Sequence, residues 1–202
     1  MISESSLQSR ASQDDADSQP IGVGRADAKA STFFPSGRIA PAIESLRVND
    51  TILEVVEELT PVSEHYGITI QTLLDSDLPC SMLDAVRMRY ALRTVIDNAI
   101  RFSKTDGVVD IWTALSAQRG IVITVADRGV GICREDLDHI FQPSQRRIPM
   151  TTRRDSGAGI GLALAKKCVE FHEGRIWLTS KPDIGTTVEI LLPLGAAPMR
   201  LE

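Results

Sequence analysis

The chain shows almost no apolar periodicity before about Arg38. Residues 1–37 are rich in Ser, Asp, Gln, Ala and Gly. Such a stretch buries too little surface to offset its ordering entropy, so it is expected to be disordered or a linker, with Phe33 and Phe34 as its apolar exception. A linker over 38–50, a folded domain over 51–195 and a short tail over 196–202 are expected to follow. Asn49 or Asp50 is expected to cap a helix running to about Tyr66, with Ile52, Val55, Val56, Leu59 and Val62 at helical spacing. Pro61 is expected to kink it and Gly67 to close it. Ile68–Leu73 alternates like a strand. A second helix is read from Asp84 to Ser103, its apolar stripe being Met88, Leu92, Val95, Ala99 and Phe102. Strands Val108–Leu115 and Ile121–Ala126 flank a Gln118-Arg-Gly120 turn, and a short helical piece covers Glu135–Phe141. The next 15 or so residues, Gln142–Ser156, carry Pro, Thr and Arg without periodicity, which inside a compact domain reads as a lid, a binding loop or a disordered segment. A third helix, Ile160–His172, and strands Arg175–Ser180 and Thr186–Leu192 complete the pattern. The order predicts an α+β sandwich, a mixed sheet with helices on one face.

Composition narrows the partners. With 43% apolar residues the chain can build a core, and a net charge of -5 offers no broad basic field for nucleic acid or an anionic membrane. No apolar run is long enough to cross a bilayer, and the amino end has no secretory signal. Three scattered cysteines, Cys80, Cys133 and Cys168, make no C-x-x-C pair and read as reduced thiols of a cytoplasmic protein. Any phosphate must therefore be held by a local device.

Four segments offer one. On the second helix, Thr94, Asn98 and Arg101 share about 60° of arc opposite the apolar stripe. An amide oxygen and a guanidinium one turn apart suit a cation and the phosphates it bridges, although a solvated helix face looks the same. Asp127-Arg-Gly129-Val-Gly131 follows an apolar strand, where paired glycines let the backbone approach a ligand and Asp127 offers an acceptor; a plain β-turn is the alternative. Ser156-Gly157-Ala-Gly159-Ile160-Gly161-Leu162 enters the third helix and presents backbone N–H groups as an anion site, or is a glycine-rich helix entry without a ligand. No strand precedes it, so it is not a dinucleotide fingerprint, and no G-K-[ST] follows, so it is not a P-loop. Gly185-Thr186-Thr187 opens the last strand and is uninformative alone.

The four in this order, with Asp97-Asn98-Ala99-Ile100-Arg101-Phe102, Ile140-Phe141, Gly157–Leu162 and Ser180–Thr187, resemble the catalytic and ATP-binding domain of sensor histidine kinases. That domain belongs to a superfamily shared with gyrase, mismatch-repair and chaperone ATPases, the Bergerat fold. The resemblance covers about Val48–Pro193 and implies ATP and Mg²⁺ as ligands. It implies Asn98 as the Mg²⁺ ligand, Arg101 on the β/γ phosphates, Phe102 against adenine and Asp127 on the adenine amine, with Thr187 nearby through water. Thr94, Gly129, Gly131 and Ile132 would line the pocket, and Gly157, Gly159, Ile160, Gly161 and Leu162 would wrap the phosphates. Arg146 and Arg153 would reach the γ-phosphate from the lid, while Asp84 and Arg87 fall in a region that is structural in the family.

Two departures stand out. The family's first Asn of the N-x-x-x-N box is Thr94, and the aromatic usual after Phe141 is Ser144. In ATP-hydrolysing and serine-phosphorylating members, a Glu at the Thr94 position acts as general base. Threonine cannot, but imidazole is a better nucleophile that needs less help, which favours transfer to a histidine. None of His65, His139 and His172 sits in an H-E-x-x-[ST]-P context, so all three are expected to be structural. The phosphoacceptor histidine would then lie on a separate dimerisation domain, with a response regulator as an indirect partner. The alternative is a nucleotide- or partner-binding module without kinase activity.

Overall fold

The computed structural model describes residues 41–117, 120–142 and 160–194, all within one compact unit, Ile39–Glu202. The disordered segment expected over 1–37, the 196–202 tail, most of the expected lid with Ser144, Arg146 and Arg153, and Gly157 and Gly159 lie outside the described residues.

Strands β1 (Ile43–Leu46) and β3 (Ser81–Asp84) form a two-stranded antiparallel ladder. The main sheet has the order β2 (Thr69–Leu73), β4 (Val108–Leu115), β5 (Gly120–Asp127), β7 (Gly185–Pro193), β6 (Arg175–Lys181). Its β2–β4 pair is parallel and the remaining pairs are antiparallel, so the sheet is mixed, as expected. Helices α1 (Val48–Tyr66), α2 (Ala85–Phe102) and α4 (Gly161–Phe171) supply the opposing layer, and α3 (Arg134–Leu137) is a short turn of helix.

Alternation along the strands sets the layers. Ile111, Ile123 and Ile190 from the strands and Ile52, Leu92 and Ile96 from the helices are all fully buried between the two layers. The outward residues form a cross-strand row, Leu73, Trp112, Thr124, Glu189 and Trp177, spanning all five strands. Trp177 donates to Glu189 at 2.7 Å, and Trp112 and Trp177 are 37% and 38% exposed.

The first helix starts differently from expectation. It begins at Val48 on Arg47, without a side-chain cap. Asn49 instead donates to the Asp75 carbonyl and accepts from the Thr113 hydroxyl, tying α1 to the strands. The helix also runs through Pro61 to Tyr66 without a break, and Gly67 closes it in the left-handed region as expected. The β1–β3 ladder and the buried Val48 belong to the folded body, although a linker is expected there. Four-residue strands without a full alternating period carry too little pattern to be seen.

The ends of α2 and α4 are joined in a buried knot. Asp84 caps α2 by accepting from the Arg87 N–H at 2.9 Å, pairs with the Arg87 guanidinium and accepts from the Ala42 N–H of the chain entering β1. The Asp84 N–H donates to His172 Nε2 at 2.9 Å, and His172 Nδ1 donates to the Cys168 carbonyl at 2.7 Å. Arg87 also lies 4.5 Å from the centroid of the Phe171 ring. Burial keeps His172 below its ordinary pKa, so the ring is a neutral wedge. With Asp84 against His172 at one end, and Thr94 against Gly161 at the other, α2 and α4 run antiparallel.

Candidate functional site

The sequence of β5 delivers Asp127 at the strand's last position, on the inward face after Ile121, Ile123 and Val125. Oδ1 accepts two backbone N–H groups, Gly129 at 2.8 Å and Thr186 at 3.2 Å. Among the described residues no group bonds Oδ2. Burial pushes the carboxyl up to about 6, against the downward pull of those two N–H groups. A half-buried, fixed acceptor at the helix–sheet boundary suits an exocyclic amine.

Two glycines make this corner possible. Gly129 lies so close to α2 that a Cβ would stand 2.0 Å from the Phe102 carbonyl oxygen. The neighbouring Val130 N–H donates to that same carbonyl, at 3.1 Å. Gly131 has φ of 66° and runs against the Lys181 backbone, where a Cβ would meet the carbonyl oxygen at 2.0 Å. Ile132 donates its N–H to Ser180 Oγ at 2.8 Å; Ser180 in turn donates to the Gly185 carbonyl and meets the Thr186 hydroxyl at 2.9 Å. The loop is thus stitched to β6 and β7 on one side and to the end of α2 on the other.

The same register corrects the threonine assignment. Val188, Ile190 and Leu192 are buried on the inward face, and alternation puts Thr186 with them, beside Asp127 and Ser180. Thr187, paired with Ala126 and Thr179, points to the opposite face. Thr186, not Thr187, therefore stands at this corner, and counting strand parity back from Val188 is the signal that finds it.

On α2, Thr94, Asn98 and Arg101 are all half-buried, and Phe102 adjoins Gly129 through its backbone. The methyl group of Thr94 packs on the entry to α4, 3.0 Å from where a Gly161 Cβ would be. Ile160 starts the helix by accepting from the Leu164 N–H at 3.0 Å, and Leu162 is half-buried. Asn98 and Arg101 come one and two turns farther along α2, past the α4 entry. Among the described residues no protein group bonds the Asn98 amide. Arg101 Nε donates to Asp97 Oδ2 at 2.8 Å and Nη1 donates to the Tyr66 hydroxyl at 3.2 Å.

A carboxylate at a strand end, a glycine loop tied to a helix carrying Asn and Arg, and a glycine entry to a second helix thus surround one corner of the fold. The model of the histidine kinase-, DNA gyrase B- and HSP90-like ATPases matches residues 83–196, which contain all of these. The chain belongs to this ATPase family.

Within it, the chain is 36% identical over 141 residues to the adaptive-response sensory kinase SasA of Prochlorococcus marinus strain AS9601. It is 29% identical over 151 residues to the kinase of the same name from Synechococcus sp. strain CC9311. The matches take in 70% and 75% of this chain but only 38% and 39% of those kinases. Among solved structures, the mycobacterial sensor histidine kinase MprB aligns with a TM-score of 0.64 at 23% identity, over 78% of this chain and 100% of that one. The catalytic domain of histidine kinase ThkA aligns with a TM-score of 0.67 at 21% identity, over 77% of this chain and 97% of that one. The architecture is that of a sensor histidine kinase ATP-binding domain.

Proposed function

We propose that the chain binds Mg·ATP at the Asp127 corner and presents the γ-phosphate to a histidine on a separate dimerisation and phosphoacceptor domain. The observation that carries this reading is Asp127 itself. Its Oδ1 is taken up by two backbone N–H groups, which orients Oδ2 as an acceptor for the adenine amine beside a loop too tight for any side chain at Gly129. Phe102 would flank the base, Asn98 would hold Mg²⁺ through its amide oxygen, and Arg101 would meet the phosphates. Bound Mg²⁺ neutralises charge on the β and γ phosphates.

The residues present also support transfer to histidine over hydrolysis. Thr94 turns its methyl to Gly161 and offers no base that would activate water or a serine hydroxyl. Two of the chain's three histidines fit structural roles: His172 is 2% exposed and bonded at both nitrogens, and His139 Nδ1 is buried; the third, His65, is exposed at the end of α1, edge-on to the Tyr66 ring. The acceptor histidine would then come from another domain, with a response regulator downstream. No described helix is long and apolar enough to cross a membrane, and a cytoplasmic setting fits the three cysteines, none of them paired.

Incubation with γ-labelled ATP, Mg²⁺ and a histidine kinase dimerisation domain tests the reading. Label is expected on the acceptor histidine with the wild-type chain and not with Asp127→Asn. Tight ATP binding without transfer to any of several acceptor domains would favour a nucleotide-binding module without kinase activity.

A further inference from the structure

Arg101 is held from two elements at once. Its Nε bonds Asp97 one turn back on α2, and Nη1 bonds the hydroxyl of Tyr66, the last residue of α1. The guanidinium carbon lies 5.8 Å from the centroid of the Tyr66 ring. Tyr66 is 7% exposed, and the Arg101 and Asp97 side chains are 29% and 22% exposed, so the group is sheltered from screening.

Fastening α1 to α2 does not require this cluster. The two helices run in parallel, because pairs Arg89–Glu54, Arg93–Glu58 and Arg101–Tyr66 keep one offset along them. Both helices already bury apolar side chains, Ile52, Val55 and Leu59 on α1 and Met88 and Leu92 on α2. Nearer the helix starts, Arg89 pairs with Glu54 and Glu58 and Arg93 with Glu58, three exposed ion pairs that each contribute little. Only the Arg101–Tyr66 contact is sheltered, and it sits one turn beyond Asn98. A guanidinium is a planar fork. Fixing Nε and one Nη sets the plane of the fork, and hence the direction of its other N–H groups relative to Asn98.

We propose that Tyr66 and Asp97 are positioning residues that orient the Arg101 guanidinium toward the terminal phosphates of bound nucleotide. The inference rests on the nucleotide reading of the site. It adds a residue of α1, outside every motif of the sequence, to the determinants of how that site tells ATP from ADP. Neither residue need touch the nucleotide; both act through Arg101.

The test is calorimetric titration of the full chain with Mg·ATP, Mg·ADP and adenosine, alongside thermal melts. The variants are Tyr66→Phe, Asp97→Asn, Arg101→Ala and the double variant Tyr66→Phe/Arg101→Ala. Losing one bond to a charged group is expected to weaken ATP binding roughly three- to tenfold in each of the first two variants. ADP should change less and adenosine not at all. The double variant should bind ATP no more weakly than Arg101→Ala alone, because the tyrosine has nothing left to position. Equal losses for all three ligands, or a lower melting temperature with unchanged affinities, would make the cluster a mere helix staple and overturn the proposal. So would tighter ATP binding in Tyr66→Phe, which would mean that the contacts hold Arg101 away. Tyr66→Phe removes one oxygen atom and decides the matter if Asp97→Asn does not fold. Absence of nucleotide binding by the wild-type chain would instead overturn the site reading, and this inference with it.

Discussion

Asp127 occupies an uncomfortable position for a carboxylate. Burial raises it from 3.8 to about 6, so between those values the folded chain keeps a proton that the unfolded chain releases. The native state consequently loses stability as pH rises from about 4 to about 6, and the loss is constant above. Asparagine keeps an oxygen for the Gly129 and Thr186 N–H groups and carries no charge. Chemical denaturation should therefore find Asp127→Asn at least as stable as wild type at pH 7, with the difference vanishing near pH 4. The same substitution should abolish most of the nucleotide-induced rise in melting temperature, which for wild type at ~100 times Kd corresponds to ~2.7 kcal/mol. Adenosine has no group that titrates between pH 5 and 8, so its wild-type affinity, followed by NMR, should fall as pH drops through about 6. A flat profile would take adenine away from Asp127. The neighbouring threonines can be separated in the same way. Thr186→Val removes the hydroxyl that meets Ser180 and should weaken nucleotide binding several-fold, whereas Thr187→Val, on the other face, should leave it unchanged. The sequence makes Asp127, Gly129 and Gly131 legible only in combination: alone they read equally as a β-turn, and their place in order among the other three segments singles them out. It does not separate Thr186 from Thr187, since adjacent identical residues look alike until the register is known.

At the scale of elements, α2 carries the buried Asp84 knot at its start and Asn98 and Arg101, the residues proposed for nucleotide, toward its end. The Asp84 knot joins β3, the start of α2, the end of α4 and the chain entering β1. Asp84→Ala would remove a helix cap and leave the sheltered Arg87 guanidinium without its carboxylate. The expected loss is about 3–5 kcal/mol, read from urea denaturation. Asn98 and Arg101 lie three turns or more farther along the helix, so nucleotide affinity of the folded variant should stay within about twofold of wild type. A large affinity loss would mean that the two ends of the helix are coupled. The helices were legible because their apolar stripes persist over several turns. Strands β1 and β3 were not, and neither was Tyr66: its part depends on α1 and α2 lying in parallel, which no local pattern encodes. The capping roles expected of Asn49 or Asp50 failed for a tertiary reason, since Asn49 bonds Asp75 and Thr113 across the fold.

Taken whole, the molecule divides its work between two faces of one sheet. Among the described residues, Asp127, Gly129, Asn98, Arg101 and Gly161 gather on the helical side, at the β5–α2–α4 corner. The outward side carries Trp112 and Trp177 in a single row, and they are the only tryptophans in the chain. That distribution makes the protein its own two-channel optical reporter. Indole emission should stay unchanged in wavelength and intensity while ATP saturates the corner, because neither ring faces it. The same emission should respond once any large body covers the outer sheet, and quenching by iodide should fall in step. An ATP-dependent spectral shift in the isolated chain would show that the two faces communicate. A silent spectrum on nucleotide addition would leave the tryptophans as a clean, label-free gauge of whatever approaches from behind.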